Sequence, residues 1–179
     1  MRVGVGKLKA GCALALVAAL ISLPTVSIAA DDTRVIKGTC GDESHIAEGN
    51  IGEDLKKYRS RFFCDLAVLT VFGNDAKHVL VQFLESKSNH GRPLAYAGTL
   101  LDADIMTVDH VFLESGIPTP VVDGYCKFFF TSKIMEKNIS DIACGAKIDE
   151  SGRRTVPIVN FHANQSTRTM GSANGRHSE

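Results

Sequence analysis

Two stretches decide the fold: Gly124-Tyr125-Cys126-Lys127-Phe128-Phe129-Phe130 and Ile142-Ala143-Cys144-Gly145-Ala146-Lys147-Ile148. Side chains on a strand point alternately to opposite faces. In the first stretch Cys126, Phe128 and Phe130 share a face, with Val122 before them. In the second, Ile142, Cys144, Ala146 and Ile148 do. Setting Cys126 opposite Cys144 in an antiparallel pair brings Phe128 to Ile142 and keeps all the apolar groups on one side. A slip of one residue would turn one set outward. Directly opposed residues are about 4.5–5.5 Å apart at Cα, within reach of a disulfide.

The same logic extends in both directions. Asp149-Glu150-Ser151-Gly152-Arg153-Arg154 is a hairpin turn signal. With Ser151-Gly152 at its tip, Cys144 faces Val159, Ile142 faces Phe161 and Pro157 falls opposite Ala146. Proline has no N–H for a ladder, which predicts an edge strand or a bulge over residues 155–162. Upstream, apolar runs at 62–72, 79–84, 94–101 and 105–113 read as strands separated by turn signals, with a further short one at 33–37. Residues 51–61 carry Leu55, Tyr58 and Phe62 at helical spacing. The expectation is an all-β chain with minor helix. It is a single-domain antiparallel sandwich or small barrel of about seven strands, stabilised by disulfides.

The first 30 residues read differently. Arg2, Lys7 and Lys9 precede an apolar run at 11–23, and Ser27-Ile28-Ala29-Ala30 supplies small residues. That order is a secretory signal peptide, cleaved after Ala29 or Ala30. The run is shorter than the ~20 residues of a membrane span. Residues 31–163 then form one β-rich domain, and 164–179, which lack large aliphatic residues, a disordered tail. Without residues 1–30 the chain carries 17 basic and 20 acidic side chains, a net charge of −3. That balance predicts neither the basic stripe of a nucleic-acid binder nor a polybasic lipid anchor. Cys12 leaves with the signal, and Cys40, Cys64, Cys126 and Cys144 remain. An even count in an exported chain is a disulfide framework. The register favours Cys126–Cys144 and leaves Cys40–Cys64. Their spacing does not fit a zinc knuckle. The expected location is secreted or periplasmic.

Chemistry is harder to find. There is no nucleophile elbow, no paired-histidine helix motif, and no calcium loop around Asp102, Asp104 and Asp109. No catalytic set, metal or cofactor is expected. Asp109-His110 is the most suggestive pair. Strand alternation puts His110 on the inward Met106–Phe112 face, as a hydrogen-bonded structural histidine, with Asp109 opposite. His90 and Arg92 lie in a polar loop at 86–92, where binding residues tend to sit. Phe129 points away from the cysteines. A second layer over that face would make it core, and an open face would make it an aromatic patch. The leading expectation is a non-enzymatic β-domain that binds a partner or small ligand through loops 86–92 and 115–120. His90, Arg92, His110 and Phe129 are its binding candidates. The alternatives are a small secreted hydrolase with a scattered His/Asp/Ser site, in which His90, His110 or His162 meets an acid and a serine in one cleft, and an envelope-associated inhibitor or interaction protein using Phe129.

Overall fold

The computed structural model describes residues 32–73, 76–86, 93–114, 116–133 and 136–164, with the side chains of 132–137 outside that set. The predicted signal, nearly all of the predicted tail, and His90 and Arg92 lie outside the described residues. Those described form eleven strands, all paired antiparallel. They are β1 (Asp32–Cys40), β2 (His45–Asn50), β3 (Arg59–Arg61), β4 (Leu66–Phe72), β5 (His78–Leu84), β6 (Leu94–Asp102), β7 (Ile105–Glu114), β8 (Ile117–Pro120), β9 (Asp123–Lys133), β10 (Glu136–Glu150) and β11 (Arg153–Ala163). The expected helix shrinks to one 3-10 turn, Leu55–Tyr58. No helix among the described residues is long and apolar enough to cross a membrane.

The strand order is β1-β4-β5-β6-β7-β9-β10-β11-β2-β3, with β8 beside β7. Strand β1 has neighbours on both edges. Residues Asp32 to Lys37 pair with β4, and Gly38 to Cys40 pair with β11. On the other edge of that last part, the Gly38 and Cys40 N–H groups donate to the Asp65 and Cys64 carbonyls. Strand β11 likewise changes partner along its length, from β2 at Arg153 to Ile158 to β1 at Phe161 to Ala163.

The middle of the deciding stretches pairs as alternation requires: Cys126 with Cys144, Phe128 with Ile142, Cys144 with Val159, Ile142 with Phe161. The ends of the first stretch depart from the expected inward face: Val122, ahead of β9, is 58% exposed, and Phe130, beside the β10 bulge at Ser140, is 38% exposed. Both cysteine pairs, Cys126 with Cys144 and Cys40 with Cys64, are at bonding distance, with Cα atoms 4.1 and 5.0 Å apart. Their inward face joins one cluster with Ile36, Leu69, Val81, Phe83, Leu94, Tyr96, Met106 and Val111. Phe83 packs edge-on to Tyr96 and tilted against Phe161.

Four expectations change. The strand count among the described residues is eleven, not about seven, because β2, β3 and β8 are short, mostly on the surface and held by a neighbour's ladder. Residues 117–120, expected as part of a loop, are strand β8. Strand β11 is no edge. The β10–β11 register skips Pro157, with pairs at Gly145/Ile158 and Ile148/Thr155 but none between, so no donor is demanded of the proline. Finally, a bulge interrupts β7. Gly98 pairs with Val108 and Ala97 with His110, leaving Asp109 unopposed. Met106, Val108 and Val111 point inward, and both Asp109 and His110 end outside. His110 is therefore a surface residue and not the inward histidine that unbroken alternation predicts.

Candidate functional site

The candidate site lies on the outer face of β9, β10 and β11. It starts from the switch in β11's partner. Between β1 and β2 the chain makes a tight turn through Gly41–Ser44, and the β11 backbone at Asn160 would lose its ladder there. Ser44, fully buried, replaces it: its hydroxyl donates to the Asn160 carbonyl (3.2 Å) and accepts from the Asn160 N–H (3.0 Å). The Gly41 N–H adds a 2.7 Å bond to the same carbonyl. Asn160 Nδ2 donates to Glu43 Oε2 at 3.3 Å, which ties the turn down from the outside. A buried peptide group is costly to leave unpaired, so this repair fixes the turn as a rigid wall.

The opposite wall is Phe129. Outward residues of the three strands form two cross-strand rows. One is Phe129, Asp141, His162, and the other is Lys127, Ala143, Asn160. Ala143 has only a methyl group, so the rows leave a groove of about 500 Å³ between Phe129 and the Gly41–Glu43 turn. Phe129 is 43% exposed, against 4% for its neighbour Phe128. Among the described residues no second layer covers it, so of the two alternatives the open aromatic face is the one present. Lys127 Nζ lies 5.8 Å from the Phe129 ring centre and 3.7 Å from Asp104. His162 Nδ1 and Asp141 Oδ1 are 2.7 Å apart. That hydrogen bond, with a weaker one from Ser140, holds the Asp141 carboxyl below the usual carboxylate range against a small desolvation effect. The groove thus has an aromatic side, a small apolar floor and a fixed polar rim.

The remaining candidates do not converge here. His110 and Asp109 line a separate depression of about 360 Å³ with His78, Phe72 and Gly98. Among the described residues no group of three or more His, Cys, Asp or Glu is placed to hold a metal. His162 is one of the histidines of the scattered hydrolase expectation, and it does meet an acid, Asp141. Asp141, Asn160 and Glu43 went unnoticed in the sequence. Asp141 and Asn160 were reachable, because the register that aligns Phe128, Ile142 and Phe161 inward must also align Phe129, Asp141, Asn160 and His162 outward. The Ser44 repair had no such signal. Compared with protein-family models, curated proteins and solved structures, the chain finds no match.

Proposed function

We propose that the protein is an exported, disulfide-braced β-barrel domain that binds a protein partner through the outer groove of β9–β11. The observation that carries this reading is the half-exposed Phe129 ring beside the fixed Asp141–His162 pair, on a wall whose inner side is fully packed. Exposed aromatic groups with a polar rim are characteristic of recognition surfaces. Barrel closure is supported by β1, which bonds to β4 along one part and β11 along another. Closure between β1 and β11 removes the long edges of the wall, which otherwise invite aggregation, and leaves only short ones such as β3 and β8 among the described residues. The interior is filled by Tyr96, Phe83, Phe161, Leu94, Met106 and Ile142, so a ligand belongs on the outside. Outward Arg34, Lys37 and Lys127 against inward aliphatics is the reverse of a membrane-spanning barrel. The basic-apolar-small order of residues 1–30 and the two cysteine pairs support export.

A photo-crosslinking phenylalanine analogue at position 129, expressed in the source cell, tests the reading. A discrete adduct identified by mass spectrometry is expected, absent when the analogue replaces outward Thr33. Equal, diffuse labelling from both positions contradicts it.

A second reading, hydrolysis, is favoured by the His162–Asp141 pair alone. The hydroxyl at that pair belongs to Ser140 and bonds to the acid rather than to the histidine. A triad needs its nucleophile on the histidine's other nitrogen. An ester-hydrolysis rate that falls with His162→Ala would restore this reading.

A further inference from the structure

The run Lys56-Lys57-Tyr58-Arg59-Ser60-Arg61-Phe62-Phe63 holds four cations in six residues, which the near-neutral balance of the whole chain conceals. Asp54 caps the 3-10 turn by accepting from the Lys56 N–H at 3.1 Å, which sets the exit into β3. Phe62 is buried and anchors the far end. Everything between is on the surface: Lys56, Lys57, Arg59, Ser60 and Arg61 are exposed, Tyr58 is 52% exposed and Phe63 56%. Arg61 pairs with Asp42 and stacks 4.9 Å from the Phe63 ring centre. Among the described residues Lys56, Lys57 and Arg59 have no carboxylate partner. The nearby Glu53 is turned away onto Asn50.

The backbone there is also open on one side. Strand β3 ends the strand order and pairs only with β2 among the described residues. The Phe62 N–H donates to the Ser44 carbonyl at 3.0 Å. Bonding positions alternate along an antiparallel pair, so Ser60, opposite Ile46, also directs its N–H and C=O to β2. The N–H and C=O groups of Arg59 and Arg61 then face away from β2, at an edge no other strand among the described residues covers.

We infer that this edge accepts an extended acidic peptide segment as an added strand, with its carboxylates against Lys56, Lys57 and Arg59 and its apolar groups against Tyr58 and Phe63. Charge complementarity selects the occupant. Cations of one sign repel a second copy of the same edge and attract an acidic chain. The unpaired N–H and C=O row separates a peptide from an anionic membrane, since only another backbone matches both groups in register.

The test uses the uniformly 15N-labelled protein and three probes: a capped eight-residue peptide alternating Glu and Thr, its Lys/Thr counterpart, and vesicles of mixed phosphatidylglycerol and phosphatidylcholine. The Glu/Thr peptide is expected to shift the Arg59–Phe63 amide resonances. It should slow hydrogen exchange at Arg59 and Arg61, and leave Ser60, already bonded to β2, unchanged. Arg59→Gln should weaken binding about two- to fivefold, the worth of one exposed charge pair. Arg59→Pro should weaken it further, since proline is tolerated at an open edge but offers no N–H. Equal shifts with the Lys/Thr peptide would overturn the inference. So would vesicle binding without peptide binding, or peptide shifts with no change in exchange at Arg59 and Arg61.

Discussion

The β9–β10–β11 meander and the β6–β7 hairpin are both antiparallel ladders over the same core and both carry a bulge, but the meander's, at Ser140, lies outside the stretch that fills the core, which keeps its alternation. From Cys126 to Phe129 and from Asp141 to Ile148, odd and even positions stay on their own faces. In β7 the unopposed Asp109 resets the count, so that Val111 and not His110 enters the core. One inserted residue therefore decides whether a histidine is structural or on the surface. The regular ladder yields a surface whose two faces can be assigned separate work. The bulged one yields a bend whose cost falls on the backbone.

Substitutions can break that contrast or sharpen it. The largest effect is expected in the regular meander. Removing the cross-strand link with Cys126→Ala and Cys144→Ala should cost about 2–5 kcal/mol in urea unfolding. A loss well below 1 kcal/mol would mean that β9 and β10 do not depend on it. Next comes a matched pair of glycines. A Cβ on Gly98, opposite the bulge, would overlap the Thr107 carbonyl, whereas on Gly145 in the meander its nearest neighbour is Ile158 Cγ1 at 4.0 Å. Gly98→Ala should cost about 1–3 kcal/mol and Gly145→Ala close to nothing. Equal costs would remove the distinction between the two hairpins.

Smaller effects follow. Tyr96 in β6 is fully buried, with no partner for its hydroxyl among the described residues, and burial pushes its ionisation well above the ordinary phenol value. Because the hydroxyl already bears its desolvation cost, Tyr96→Phe should be neutral or stabilising by up to about 1 kcal/mol. A clear loss of stability would reveal a partner, a buried water being the simplest. The smallest concerns Asp141. Its carboxyl is depressed in the folded state, so its contribution is present above the ordinary carboxylate pKa and fades as pH falls through the lower folded value. The pair is largely exposed, so screening keeps that contribution below about 1 kcal/mol. Asp141→Asn should accordingly lower stability slightly at pH 7 and not at all at pH 2, read from denaturant midpoints.

The same contrast explains what could be read in advance. The meander was legible because burial on one face writes a period of two into Cys126, Phe128, Ile142, Cys144, Val159 and Phe161. Strand β3, Arg-Ser-Arg with every residue exposed, writes none, and neither do the short β2 and β8. The bulge at Asp109 adds a residue without altering composition, and Gly98 across from it is the one local hint. For the site, Phe129 was visible by parity, but its exposure was not, because alternation says which side a residue is on and nothing about what covers that side. His162 and Asp141 were the outward counterparts of an inward register already in hand.

The central claim is that adjacent rings in one strand do opposite things: Phe128 holds the core together and Phe129 stands on the open face, where we propose a partner binds. Phe128→Ser and Phe129→Ser, compared by urea denaturation under identical conditions, test it most directly. The expected result is a loss of several kcal/mol, about 3–5, for Phe128→Ser and under about 1 kcal/mol for Phe129→Ser. Equal losses at the two positions, or the larger loss at Phe129, would contradict the account.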